Sequence, residues 1–244
     1  VERVSTADGT KRIHIAQNGG AVTVEGDEIL VGVGRSPNVE GLGLESAGVE
    51  FDARHGIHVD DYLRTANPHI FAAGDCCMRH QFTHAADAAA QIVIQNALFG
   101  GRKKVSKLIM PWCTYTDPEI AHVGLYEHEA QQQGIETDIF RSSLSRNGRA
   151  EMDGEDNGFV KVLVKKGSDK ILGATIVASH AGDLISELSV AISAGMGLGG
   201  IAGVIHPYPT QAEAIKAAAS EWRKTRLTPV VAKLMEKWLS FQRR

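Results

Sequence analysis

Cysteine is scarce in this sequence: three in 244 residues, at positions 76, 77 and 113. So few thiols exclude a disulfide-stapled scaffold and fit a reducing, cytoplasmic setting. Cys76 and Cys77 are adjacent, so a bond between them would strain the intervening peptide. No second Cys-x-x-Cys and no His at ligand spacing supports zinc, so no metal site is expected and the pair reads as small packed thiols. An excess of one charge is missing too. The 26 Lys and Arg against 29 Asp and Glu leave −3, which gives no electrostatic case for a nucleic acid or an anionic membrane. Long hydrophobic runs are lacking: the least polar stretch, 190–205, is interrupted by five glycines and is too short to span a bilayer. Residues 1–18 have no apolar core followed by a cleavage site, so no signal peptide is expected. What remains is a globular composition, 43% hydrophobic and 23% charged, long enough for one large or two ordinary domains.

Three segments follow from the patterning. In 1–34, short β-prone pieces at 11–16 and 21–24 flank Asn18-Gly19-Gly20, a hairpin signal, and the apolar run 28–33 (EILVGV) reads as a strand stopped at Gly34. In 35–108, strands are predicted at 56–59 and 70–73, the second ending at Gly74-Asp75. An alanine-rich helix then runs from Thr83 to Phe99 and closes at Gly100-Gly101. Both pieces look like incomplete α/β layers. In 109–244, strands are predicted at 112–116, 137–142, 159–165 and 171–178, then helices at 182–194, 211–223 and 229–241. Strands first and helices after give an α+β unit, an antiparallel sheet with helices packed on it.

Several motifs carry chemistry. Gly195-Met196-Gly197-Leu198-Gly199-Gly200 satisfies G-x-G-x-x-G, but it follows a helix rather than a strand, so a flexible connector is the better reading. Asp75, at the end of a buried strand, sits where α/β sheets bind ligands and can accept hydrogen bonds from sugar-type hydroxyls. Gln81, Phe82, Thr83 and His84 open a helix whose unpaired N–H groups carry about half a positive charge, suited to a phosphate or an anionic ring oxygen. In VIHPYPTQAE, Tyr208 is held between Pro207 and Pro209, which fix φ and stiffen the approach to the next helix. Thr210 is a good N-cap, which puts Glu213 at the third helical position, as in a capping box.

Taken together, EILVGVGRSPN (28–38), TANPHIFAAGD (65–75), QFTHAAD (81–87), YTDPEIAHVGL (115–125) and HPYPTQAE (206–213) resemble the flavin-dependent pyridine nucleotide–disulfide oxidoreductases. Among them the mercuric reductase-like and dihydrolipoamide dehydrogenase-like members are nearest. The resemblance implies an α/β fragment followed by an α+β interface domain. Residues 1–34 would end the NAD(P)-binding domain, with Gly34 near the nicotinamide nucleotide. Residues 35–108 would be the C-terminal part of the FAD-binding domain, with Asp75 on the flavin's sugar-like chain and Gln81, Phe82, Thr83 and His84 along the ring edge. Residues 109–244 would form a homodimer and lend the HPYP loop to the partner's site. The cofactors implied are FAD and NAD(P)H, and the acceptor a small molecule or a metal ion.

Two features depart from the family. Its FAD-phosphate glycine motif and its cysteine pair separated by four residues are not in these 244 residues. The chain therefore resembles a C-terminal fragment, expected to be inactive by itself. Tyr208 also stands where disulfide reductases have a His base. A His near about 6.5 exchanges a thiol proton at neutral pH, whereas a Tyr near about 10 mostly does not. Mercuric reductases have tyrosine there, but this chain ends WLSFQRR, without their paired-cysteine tail. His206, two residues back, is a candidate displaced base. A dehydrogenase or transhydrogenase without a thiol relay, and a non-catalytic dimerisation module, are the competing readings.

Overall fold

The computed structural model describes residues 1–17 and 19–243. The chain divides into two compact units, Val1–Val105 and Ser106–Arg244. In the first, β1 (Arg3–Ala7), β2 (Thr10–Gln17) and β3 (Gly20–Gly26) form an antiparallel three-stranded sheet in the order β1-β2-β3. The register pairs Gln17 with Gly20, so the expected hairpin is present, although Asn18 lies outside the described residues. After it come β4 (Phe51–Asp52), β5 (Gly56–Ile57) and α1 (Thr83–Leu98). A small core joins Val39, Leu44, Val49, Ile57 and Ala72. Helix α1 buries Ala85, Ala89 and Ile92, one face at helical spacing. It ends as the glycines predict: Gly100 takes a positive φ of 63°, and Gly101 N–H reaches back 2.9 Å to the Gln95 carbonyl.

Two expected strands are absent. Residues 28–33 form none, and Leu30 is 98% exposed. Strand geometry is stabilised by neighbours, and among the described residues no strand pairs with this run. Residues 70–73 likewise keep only an isolated bridge between Phe71 and Arg64.

The second unit follows the expected plan. Its sheet has the order β6-β7-β10-β9-β8, all antiparallel, from β6 (Trp112–Thr114), β7 (Glu119–Gly124), β8 (Thr137–Ser143), β9 (Phe159–Lys165) and β10 (Ile171–Ala178). The helices are α2 (Glu127–Gln132), α3 (Gly148–Asp153), α4 (Ala181–Ser193), α5 (Leu198–Ile201), α6 (Glu213–Thr225) and α7 (Pro229–Gln242). Helix α4 packs on β6, β7 and β10, and α6 on β8 and β9. One core joins Val160, Val162 and Val164 of β9 and Ile176 of β10 to Leu188 of α4 and Ile215 of α6.

The glycine run 195–200 is not a flexible connector. Gly195, at φ 69°, follows the Ala194 cap of α4, and α5 begins three residues later at Leu198, with Leu198 and Ile201 buried. A Cβ on Gly197 would stand 2.2 Å from the Asp169 carboxylate, and one on Gly199 would stand 2.8 Å from the Trp222 ring. These glycines admit close neighbours, not a dinucleotide.

Strand β7 was not foreseen, because a histidine interrupts its apolar pattern. His122 is buried; its Nε2 lies 3.0 Å from the Gly124 carbonyl and its Nδ1 3.0 Å from Thr175 Oγ1, so both ring nitrogens are satisfied. The Tyr126 ring stacks on it at 3.6 Å. Burial pushes this imidazole below its ordinary value. A proton then binds the unfolded chain more readily than the folded one. The neutral ring's contribution is full above about pH 6.5, the unfolded value, and is lost as the pH falls below it. Melting temperatures measured from pH 7.5 down to 5 should therefore fall, and fall less steeply in His122→Gln.

Candidate active site

In the first unit, Asp75 and residues 81–84, among those expected to bind a cofactor, meet at the start of α1. Gly74, at φ 84°, passes so close to the helix that a Cβ there would stand 3.0 Å from the Ala86 methyl. On the other side, a Cβ on Gly56 would stand 2.0 Å from the Cys76 carbonyl oxygen, which accepts the Ile57 N–H at 2.8 Å. The Gly74-Asp75-Cys76 turn is thus clamped between β5 and α1. Asp75 is exposed and borders a cleft of about 520 Å³ together with Arg35, Pro37, Asn38, Ala73 and Cys76.

The sequence reading missed Arg35. Its guanidinium donates to Asp75 Oδ2 at 3.2 Å and also to the Gln81 carbonyl oxygen, tying the turn to the helix entrance. The Gln81 side-chain amide donates to the Asp75 carbonyl at 3.4 Å. Phe82 occupies the N-cap with an extended backbone and no side-chain cap, so the first N–H groups of α1 lack the usual acceptor. The Phe82 ring stacks on His84 at 5.2 Å and lies 6.1 Å from His80. Thr83 and His84 are exposed. Gly34 lies on the irregular stretch before Arg35, exposed and at φ 105°. An exposed carboxylate in a cleft beside an uncapped helix start fits a hydroxyl-bearing, partly anionic ligand.

Cys77 and Cys113 are held as neutral thiols. Cys77 Sγ donates to the Gly74 carbonyl at 3.6 Å, and burial with Cys76 beside it pushes its thiol up to about 12. Burial, with Glu119 nearby, raises the Cys113 thiol too. All three cysteines are unpaired, and no group of three or more metal-ligating side chains is found among the described residues.

In the second unit, the HPYP loop is pinned at both ends. The His206 side chain is only 5% exposed, and its Nε2 meets Glu187 Oε1 of α4 at 2.9 Å. Its Nδ1 faces the Val204 carbonyl at 3.3 Å. At the far end Asn147, buried before α3, donates from Nδ2 to the Thr210 carbonyl at 3.0 Å, while its Oδ1 accepts the Ala150 N–H at 3.0 Å. Gln211 is buried as well and donates to Ser179 Oγ at 2.9 Å. Between these anchors Tyr208 is 78% exposed, and its peptide bond to Pro209 is cis.

The helix entry differs from expectation. Regular helix begins at Glu213, and Thr210 Oγ1 donates to the Pro207 carbonyl at 2.8 Å instead of capping. Only the return half of the box forms, with Glu213 Oε2 accepting the Thr210 N–H at 3.4 Å. Glu213 therefore braces the backbone behind Tyr208. Sequence reasoning also missed Asn147, Glu187 and Gln211; of these only Asn147, before a glycine and a helical run, carried a local capping signal.

Two family models match. Residues 1–91 match the pyridine nucleotide-disulphide oxidoreductase model, and residues 110–219 match that family's dimerisation domain. The chain belongs to the pyridine nucleotide-disulphide oxidoreductase family. It is 38% identical over 221 residues to the mitochondrial dihydrolipoyl dehydrogenase of Dictyostelium discoideum, covering 89% of this chain and 45% of that protein. It is 34% identical over 223 residues to the mercuric reductase of Lysinibacillus sphaericus, covering 91% of this chain and 41% of that protein. Among solved structures, LpdA from Mycobacterium tuberculosis superimposes with a TM-score of 0.82 at 28% identity, over 91% of this chain and 48% of that one. The chain thus spans under half the length of these relatives.

Two measurements test the site. Asn147→Ala removes a helix cap and a loop anchor together and should cost about 2 kcal/mol of unfolding free energy in a denaturant titration. Iodoacetamide at pH 8 should leave Cys77 and Cys113 unlabelled in the native chain and modify both in denaturant.

Proposed function

We propose that this chain supplies the flavin-edge and partner-facing parts of an NAD(P)H-dependent FAD oxidoreductase of the mercuric reductase-like kind. Such an enzyme passes reducing equivalents to a disulfide, a metal ion or a related acceptor. The observation that carries this reading is the clamped Asp75 turn, held by Arg35 beside the uncapped start of α1. When bound, FAD supplies the ring that accepts a hydride from NAD(P)H and passes the electrons on. The Asp75 carboxylate would accept hydrogen bonds from hydroxyls of its sugar-like chain. The opening N–H groups of α1, with Gln81, Phe82, Thr83 and His84, would face the ring edge and stabilise negative charge there. Gly34 would lie toward the nicotinamide nucleotide.

A homodimer through residues 109–244 supports the role of the second unit, because a largely exposed phenol on a doubly anchored loop is suited to reach into another subunit. Tyr208 would then hold the acceptor or its leaving group rather than act as base. His206, with both ring nitrogens engaged, would position the loop, and Glu213 would support it from behind. The three unpaired thiols fit a cytoplasmic setting.

The chain by itself should reduce neither disulfides nor Hg²⁺ when saturated with FAD and NADPH; turnover in that assay would refute the need for a cysteine relay. In the coding sequence upstream of Val1, a G-x-G-x-x-G followed by C-x4-C is the expected finding. Its absence would favour a flavoprotein dehydrogenase or transhydrogenase without a thiol relay. The alternative of a pure dimerisation module rests on the self-contained core of residues 106–244. Sedimentation at micromolar concentration should give a dimer, and a monomer would count against both readings of that unit.

A further inference from the structure

Helix α7 stands apart from the core of the second unit. It begins on strong local signals: Thr228 Oγ1 accepts the Val231 N–H at 3.3 Å, and Pro229 occupies the first turn. Yet none of its side chains is buried, and Leu234 and Phe241 are 61% and 78% exposed. A lone helix of this length is marginal in water, so a surface that covers it supplies its stability.

Its pattern says which surface. At about 100° per residue, Val230, Val231, Leu234, Met235, Trp238, Leu239 and Phe241 occupy an arc of roughly 180°, broken only by Gln242 at the last position of the helix. Lys233, Glu236, Lys237, Ser240 and Arg243 occupy the remainder. A helix–helix seam needs a stripe only about 100° wide, and pairing two such helices would leave apolar flanks in water. Sinking the whole arc into the headgroup and acyl boundary of a bilayer leaves none. The charge is segregated in the same sense. Residues 223–244 hold seven Lys and Arg against one Glu, a net of +6, while the whole chain is −3, so the other 222 residues sum to −9. The whole-chain value, which gave no case for an anionic membrane, conceals a basic end attached to an acidic body. At about 1.5 Å per residue, the 14 residues of α7 reach roughly 21 Å, short of the hydrocarbon core. No helix among the described residues is long and apolar enough to cross a membrane.

We infer that α7, with the basic residues leading into it, docks in the plane of an anionic phospholipid surface. Trp238 and Phe241 enter the interface, and Lys233, Lys237 and Arg243 face the headgroups. The redox reading plays no part in this assignment.

The test is sedimentation of the full chain with phosphatidylcholine vesicles, with and without phosphatidylglycerol, at low and high salt. Binding should require the anionic lipid and weaken with salt. Lys233→Gln with Lys237→Gln should lower the partition coefficient about 25-fold, from about 1 kcal/mol per basic residue. Trp238→Glu should abolish binding without lowering the melting temperature, because no core contact is lost. Failure to sediment with anionic vesicles, or sedimentation that Trp238→Glu leaves unchanged, overturns the assignment. If Trp238→Glu instead dissociates a dimer and vesicles never bind, the face belongs to a second copy of this chain.

Discussion

The position of Tyr208 depends on its loop being fixed at both ends by part-buried polar contacts. His206 is held on α4 through Glu187, and Thr210 is held on α3 through Asn147. Neither anchor would hold a proline-rich loop in open water, where each pair competes with solvent. Both work because the core beneath them is closed: Leu188 of α4 and Ala150 of α3 are fully buried. Packing in the sheet and helices thus becomes rigidity in a segment that makes no regular structure of its own.

The first unit uses a different device. No apolar contact could set the carboxylate of an exposed aspartate, so backbone proximity does it. The turn is closed from two directions where a side chain on Gly56 or Gly74 would collide, and Arg35 crosses the gap to the helix entrance. An exposed ion pair of this kind contributes little stability. Its effect is geometric, keeping a turn and a helix start in one register.

The sequence revealed most where local rules act alone. Strands β9 and β10 match their expected bounds, since two largely apolar stretches rich in Val and Ile flank a short turn. Helix α7 begins at its Thr-Pro signal, and α1 ends at paired glycines. Legibility failed where distant partners decide. Strand β7 was hidden because the burial of His122 is tolerated only once Thr175 and the Gly124 carbonyl are in place. The apolar run 28–33 looked like a strand but has no neighbour to pair with among the described residues. At the candidate site, Asp75 and the helix entrance were readable from glycine and capping patterns. Arg35, Glu187 and Gln211 were not, because their roles come from residues 19 to 46 positions away.

The guanidinium at the cleft has one more consequence. A molecule that approaches the exposed Asp75 carboxylate meets an acceptor already engaged by a guanidinium through Oδ2. A neutral hydroxyl suits that carboxylate better than a second cation, which would sit beside the charge of Arg35. The rim of this cleft thus carries a preference for uncharged over positively charged groups, set by one paired guanidinium.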